Sequence, residues 1–167
     1  YETEYWLEVL VKISSINDFT TENVEIEVKS ARGENADNLL KGLYAFTDCE
    51  SLKSFYVNAA VLPAGMFYQC EALTTVELGP DVNAIGEFAF RETAVNMFEI
   101  AKDNKAFKVQ DANYILSAEG TTLVAVAPSF TGAFNAANIG GTNVTVVGKG
   151  AFSSNTKITS VTLPNVT

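Results

Sequence analysis

A short pattern ending in phenylalanine recurs along this chain and restricts what it can fold into. The pattern is an apolar residue, a glycine, two variable residues, a small residue and phenylalanine, and it is clearest in VNAIGEFAF at residues 82–90. The final phenylalanine, here called the anchor, returns at Phe46, Phe67, Phe90 and Phe152, at intervals of 21, 23 and 62 residues. A period of roughly 20–23 residues predicts a solenoid, because one such coil cannot bury its apolar face alone and must stack on its neighbours.

A second apolar element follows each anchor and has the spacing of a short strand. Its template is C/N/T-x-x-L-x-x-I-x-L-P, with one residue fewer in the third copy, where Val95 takes the leucine position. Alternation predicts that its apolar side chains point inward and that the strands pair in parallel from coil to coil. The anchors are predicted to stack along the other wall. The predicted inward residues are Leu52, Phe55, Val57, Leu73, Val76, Leu78, Val95, Phe98, Ile100, Ile158, Val161 and Leu163.

Together the two elements resemble the BspA-like, treponemal-type leucine-rich repeat family of bacterial surface proteins. The signature AF-x-x-C-x-x-L-x-x-I-x-L-P is almost complete in the second copy, and the resemblance extends over residues 42–167. Lys41, Pro63 and the missing Cys and Pro of the third copy depart from the pattern. The resemblance implies a mainly β repeat solenoid with short parallel strands. It also implies a non-enzymatic, adhesin-like recognition module on a bacterial cell surface or secreted from the cell.

The first 38 residues lack the repeat and carry two amphipathic strands. YWLEVLVKI at 5–13 and NVEIEVK at 23–29 alternate apolar and polar residues, which predicts a β-hairpin or a small β cap on the first coil. The trailing end of a separate β-domain is the alternative. The predicted domains are therefore an N-terminal β unit at 1–38 and a solenoid at 39–167.

A segment at about 101–141 interrupts the solenoid. VQDANYILS and TTLVAVA are predicted as two strands joined by a turn at 118–120. A similar excursion is frequent in BspA-like proteins, where it resembles a widened coil carrying an extra hairpin. Residues 130–143 contain three glycines and are predicted to form a loop before a strand at 144–148.

The charge of the chain argues against two classes of partner. The formal net charge is −9, and the sequence contains no stripe of basic residues. Nucleic acids and anionic membranes are bound mainly through Lys and Arg, so we expect neither partner. No apolar run approaches the ~20 residues that cross a bilayer, so direct membrane insertion is not expected. Since the chain starts at Tyr1, we expect that any signal or lipid anchor was removed ahead of this numbering, so its absence carries little information.

The titratable residues give little support to an enzyme or a cofactor. Without histidine, Ser-His-Asp and Cys-His catalysis and the commonest metal ligand are absent. Glu77 and Glu99 are the only carboxylates that the repeat brings together on one face, and exposed acids on a solenoid are ordinary. The Asp and Asn residues between 103 and 113 match no calcium loop and are expected in turns. We predict no catalytic, cofactor-binding or metal-binding residue.

The two cysteines occupy the same position in adjacent copies. Cys49 and Cys70 are therefore expected about one coil apart, near the ~4.8 Å spacing of paired strands, which allows a disulfide. The family resemblance implies instead a small apolar residue that points into the core. Both alternatives stay open at this point, although two cysteines alone cannot make a zinc site.

The outward residues of the strands form the candidate binding surface. They are mostly hydroxyls and amides with a tyrosine and a methionine, and curved solenoids bind extended partners on such sheets. Strand propensity alone also favours Thr and Ser at exposed positions. We expect an extracellular protein or glycan as partner; the alternatives are a structural spacer and a carbohydrate-binding component of a glycan uptake system. The predicted face consists of Lys53, Ser54, Tyr56, Thr74, Thr75, Glu77, Asn96, Met97, Glu99, Thr159, Ser160 and Thr162.

Overall fold

The part of the chain that the structure describes forms a β-solenoid of about five turns with almost no helix. The structure, a computed structural model, describes residues 6–13, 24–32, 46–139 and 143–166, the first two ranges by their backbone alone. Within these ranges a short 3-10 helix at Ala136–Asn138 accompanies the strands. In chain order the strands are β1 (Trp6–Ile13), β2 (Val24–Arg32), β3 (Ser54–Val57), β4 (Val61–Leu62), β5 (Thr75–Leu78), β6 (Ala84–Ile85), β7 (Met97–Ile100), β8 (Phe107–Gln110), β9 (Tyr114–Ser117), β10 (Thr122–Val126), β11 (Gly132–Asn135), β12 (Val146–Val147) and β13 (Ile158–Thr162).

The largest sheet joins the N-terminal strands to the first three coils. Its strand order is β1-β2-β3-β5-β7. β1 and β2 pair antiparallel, as predicted, and β2 then pairs parallel with β3. The side chains of residues 5–13 and 23–29 lie outside the described residues, so their predicted directions stay predictions. A linker predicted at 30–38 is wrong for residues 30–32, which belong to β2; its remainder and the turn between the two strands are not described.

The three solenoid strands of this sheet are in register and bury one face. Val76 of β5 lies beside Phe55 of β3 and Phe98 of β7, and all three are buried. Leu78 is likewise buried, and its neighbour Ile100 is half-buried. A 21- to 23-residue period with alternating apolar positions produces this register, so the predicted inward set is confirmed for these copies.

The anchor phenylalanines stack on the wall formed by the turns. Phe46 and Phe67 have ring centroids 6.0 Å apart, and Phe67 and Phe90 are 6.3 Å apart, both nearly parallel. Strand residues also pack against the stacked anchors: the ring centroid of Phe98 lies 5.0 Å from that of Phe90. The fourth anchor does not continue this stack, since Phe152 packs edge-on against Phe134 at 5.0 Å instead.

Backbone hydrogen bonds link successive turns along the same wall. The N–H of Phe46 donates to the carbonyl of Met66, and the N–H of Phe67 donates to the carbonyl of Ala89. We call residues 46–48, 65–69 and 86–92 the turn wall. At Gly86 the coils approach so closely that a Cβ would lie 2.3 Å from the backbone nitrogen of Ala64. This contact explains why the third copy has glycine four residues before its anchor.

The insertion forms a four-stranded sheet of order β12-β10-β9-β8. β9 and β10 confirm the predicted hairpin. The predicted single strand at 109–117 is wrong, because a turn divides it into β8 and β9. Asp111 and Ala112 both have positive φ, the geometry of a tight hairpin turn, and the Asn113 side chain donates to the carbonyl of Asp111 at 2.7 Å.

The hairpin lies between two hydrophobic clusters. The first contains the strands and anchors of the first three coils, together with Ile115 and Ala125 of the hairpin. The second contains Leu116 and Val126 with Phe134 and the fourth turn. Since neighbouring residues of a strand point to opposite faces, β9 and β10 contribute to both clusters and are covered on both sides.

The last coils pair separately from the main sheet. β11 and β13 form a parallel two-stranded sheet. The prediction of a loop at 130–143 is wrong for Gly132–Asn135, because these residues form β11 and pair with β13. Val161 was predicted to point inward but is 46% exposed, because only Ile158 and Leu163 around it pack against the second cluster.

Candidate functional site

Six predicted residues form one continuous surface on three strands. Their Cα positions lie in two rows, Ser54 beside Thr75 beside Met97, and Tyr56 beside Glu77 beside Glu99. We call these six residues the strand face. Met97 is 37% exposed although it is apolar, and Glu99 is exposed beside it. The face is therefore an accessible, mixed polar surface about three strands wide.

Three further predicted residues lie where these strands begin. Lys53, Thr74 and Asn96 each precede a strand of the face. The N–H of Thr74 donates to the carbonyl of Lys53 at 2.8 Å, and the N–H of Asn96 donates to the carbonyl of Thr74 at 3.0 Å. These bonds hold the three residues in a row along one border of the strand face.

The remaining three predicted residues are not part of this surface. Thr159, Ser160 and Thr162 are exposed on β13, which pairs with β11 in a different sheet. The repeat pattern placed them on the same ladder because it carries no information on which strands pair after the hairpin. The predicted twelve-residue ladder is therefore two separate surfaces.

Acidic side chains occupy neighbouring positions on the strand face. Glu77 and Glu99 are direct partners in the parallel register, as the repeat predicted. Carboxylates in paired positions make this part of the strand face acidic, which complements a positively charged partner.

A pocket on the turn wall was missed by the sequence reasoning. It has a volume of about 400 Å³ and is lined by Thr47, Gly65, Tyr68, Phe88 and Arg91. We call it the turn pocket. Its lining residues come from three successive turns. Gly65 and Phe88 stand two residues before an anchor, and Thr47, Tyr68 and Arg91 stand one residue after an anchor. An alignment of the copies on their anchors contains the signal, because Phe88 stands where the second and fourth copies have Gly65 and Gly150.

Phe88 has an unusual backbone for its residue type. Its φ is +58°, in the left-handed region, and Gly65 and Gly150 at the equivalent positions have φ of +61° and +77°. This conformation costs a residue other than glycine of order 1–3 kcal/mol. The side chain is nevertheless 39% exposed, and a Cβ on Gly150 would lie 2.9 Å from its Cδ1 atom. The coil therefore keeps a strained and partly exposed aromatic ring.

Arg91 joins the aromatic and polar parts of the turn pocket. Its guanidinium carbon lies 5.3 Å from the centroid of the Tyr68 ring, a cation–π contact. Its Nε donates to Oε1 of Glu92 at 3.1 Å. Hydrogen-bond donors and an acceptor thus lie side by side next to aromatic surface.

Both cysteines are free thiols. Cys70 is fully buried and its Sγ donates to the carbonyl of Phe46 at 2.9 Å, whereas Cys49 is half-buried. Burial raises the pKa of the Cys70 thiol from 9.0 to about 11. Cys70 therefore occupies the core as the family resemblance implied, and the disulfide alternative is not formed in this structure.

One residue considered as a calcium ligand is part of a turn. The Asn104 side chain donates to the carbonyls of Gly79 and Val82 and accepts from the backbone of Ala106 and Phe107, all at 2.8–2.9 Å. Both ends of the amide are thus satisfied within the chain. Over the described ranges, no three His, Cys, Asp or Glu side chains come together as a metal site would require. The same residues include no helix with the length and apolarity of a membrane span.

The comparison with family models agrees with this geometry. The model described as "BspA type Leucine rich repeat region" matches the chain in six copies, at residues 34–113 and 128–167, which is more than half of the chain. The chain belongs to the BspA-type leucine-rich repeat family, as its repeats predicted. The residues between the two matched ranges include β9 and β10, so the break in the repeat coincides with the hairpin.

The known proteins that are similar to this chain match it over only part of their own length. A leucine-rich repeat protein from Eubacterium ventriosum is similar with a TM-score of 0.56 and 16% identity, over 71% of this chain and 37% of that one. The pneumococcal vaccine antigen PcpA is similar with a TM-score of 0.47 and 15% identity, over 68% and 40% of the two chains. A stretch of 40 residues, 24% of this chain, is 50% identical to 6% of a DNA topoisomerase 4 polypeptide from Borreliella burgdorferi. This chain thus spans less than half of each relative.

Proposed function

We propose that this chain is a non-enzymatic, adhesin-like recognition module, displayed on a bacterial cell surface or secreted, which binds an extracellular protein through the strand face. Membership of the leucine-rich repeat family supports a protein-interaction module. The observation that carries the proposal is the register of β3, β5 and β7, which aligns exposed Met97 and Glu99 with Thr75 and Glu77 on one accessible surface.

The chemistry of the strand face favours a basic, extended partner. Exposed Met97 provides a flexible apolar contact, and methionine adapts to irregular surfaces. Glu77 and Glu99 lie beside it in a chain with a net charge of −9. A segment rich in Lys or Arg complements this charge, which raises the association rate and orients the partner along the row.

The proposal is tested with a panel of immobilised extracellular-matrix proteins and mucin. Wild-type chain is compared by surface plasmon resonance with a Tyr56→Ala, Met97→Ser double variant and a Glu99→Lys variant. We expect about a tenfold or greater loss of affinity in both. Association should also slow as salt is raised, because exposed charges are screened.

A matched control separates loss of the surface from loss of the fold. Val146→Ser replaces another exposed apolar residue, on β12, by the same polar residue. It should bind like the wild-type chain, and every variant should melt at a similar temperature. If the panel binds no better to the wild-type chain than to the strand-face variants, the module is a structural spacer, and the recognition proposal is wrong.

A further inference from the structure

The turn pocket lies away from the strand face and combines features of a small-ligand site. Its volume of about 400 Å³ falls within the range of such sites, roughly 300–1,000 Å³. Three of its five lining residues are Tyr68, Phe88 and Arg91, and Gly65 leaves space between them. These side chains distinguish this part of the turn wall from the rest of the wall.

Phe88 contributes an aromatic ring to the lining of the turn pocket. Glycine occupies the equivalent position in the turns before and after it, so no side chain at those positions covers the ring. The ring stays partly exposed on a strained backbone, although glycine would relieve the strain. Strain that persists at an exposed residue motivates a hypothesis of function.

The polar groups of the pocket suit a ligand that both donates and accepts hydrogen bonds. The Arg91 guanidinium lines the pocket and provides donors on a rigid plane. The carboxylate of its neighbour Glu92, which accepts from Arg91 Nε, lies next to the lining residues and provides acceptors. Each hydroxyl of a sugar needs both kinds of partner. The C–H faces of a pyranose ring are apolar and pack against aromatic rings such as Phe88 and Tyr68.

Charge distinguishes between possible occupants. A neutral sugar approaches a chain of net charge −9 without repulsion, whereas an acidic ligand is disfavoured by the whole surface. A Lys or Arg side chain of a peptide would meet Arg91 at the pocket itself. We propose that the turn pocket binds a neutral pyranose residue of a glycan, stacked on Phe88 and hydrogen-bonded by Arg91, with Glu92 next to the pocket as a further acceptor. This site is independent of the strand face.

Saturation-transfer NMR with simple sugars tests the proposal. The probes are methyl β-glucopyranoside, methyl β-galactopyranoside and N-acetylglucosamine, and a proline octapeptide is the competing ligand. With irradiation of the aromatic protein signals, we expect saturation of the protons on one face of the ring for at least one sugar, with a Kd of roughly 1–10 mM. Phe88→Gly should weaken this binding about fivefold or more.

The variants are chosen so that the chain keeps its fold. Phe88→Gly places at residue 88 the amino acid that the second and fourth copies already have at this backbone conformation. Arg91→Gln should also weaken binding, while Val146→Ser, an exposed substitution on another sheet, should bind as the wild-type chain does. The proposal is overturned if no sugar gives a signal at the highest concentration used, if the signal survives in Phe88→Gly, or if only the peptide binds. None of these results bears on protein binding at the strand face.

Discussion

Cys70 is a polar residue that the stacking of coils has removed from water. Its thiol is buried among apolar side chains and donates to a carbonyl of the preceding turn. Desolvation penalises the thiolate more than the thiol, which is why the pKa rises to about 11. The cysteine of the repeat thus acts as a small apolar residue with one satisfied hydrogen bond.

This burial predicts a dependence of stability on pH. The unfolded chain releases the Cys70 proton near pH 9, but the folded chain holds it up to about pH 11. The contribution of this group to stability is therefore complete below pH 9 and is lost as the pH rises from 9 to 11. In urea denaturation, the stability difference between wild-type chain and Cys70→Ala should narrow over this range. A difference that stays constant from pH 8 to pH 10.5 would contradict the assignment.

Single elements show which parts of the fold the sequence determines. The strands β3, β5 and β7 were predictable because their alternation and their 21- to 23-residue spacing specify both face and register. The split between β8 and β9 was not, because Asp111 and Ala112 adopt a tight turn without a glycine. The exposure of Val161 was also not predictable, since it depends on what packs against β13 and not on its own alternation.

The two candidate sites differ in the same way. The strand face follows from alternation, so its six residues were predicted correctly as neighbours. The turn pocket depends on a position that the repeat leaves variable: Phe88 stands where the second and fourth copies have glycine. A search for matches to the template ignores such a position, although its side chain gives the wall an individual site.

Close contact between turns predicts a severe effect of one added methyl group. A Cβ at Gly86 would lie 2.3 Å from the nitrogen of Ala64 and 2.6 Å from the carbonyl carbon of Pro63, and backbone cannot move aside locally. We expect Gly86→Ala to lower the free energy of unfolding by about 3 kcal/mol or more. Urea denaturation measures the change.

Gly132→Ala is the control for this prediction. Gly132 has a φ of +96°, a backbone conformation that alanine disfavours. No atom, however, lies within 4 Å of the added Cβ. It should cost only about 1–2 kcal/mol. If the two variants are equally destabilised, the contact between turns is not the reason for glycine at residue 86.

Across the whole molecule, the two clusters are joined through one hairpin. Ile115 and Leu116 are adjacent in β9 and are both fully buried, one in each cluster. In a solenoid each coil is stabilised mainly by its neighbours, so a shared element couples the stability of the two ends.

Phe90→Ala tests this coupling. Phe90 is 6% exposed and contacts Phe67 and Phe98 in the first cluster. Its truncation should cost roughly 3–5 kcal/mol and lower the melting temperature by about 6–20 °C in a single transition. Amide hydrogen exchange at Phe134, in the second cluster, should accelerate together with that at Val76. If Phe134 exchanges at the wild-type rate, the clusters unfold separately; an unchanged melting temperature would refute the stacked arrangement itself.

The position of the hairpin also decides where this chain can be altered in length. Because β9 and β10 are covered on both sides, they separate the two hydrophobic clusters. Removing residues 107–126 would bring into contact two clusters whose side chains do not pack against each other in this fold. The turns at 111–112 and 118–119 are exposed at the ends of β9. Extra residues placed in those turns would leave this separation intact, so a peptide tag or a second domain belongs there.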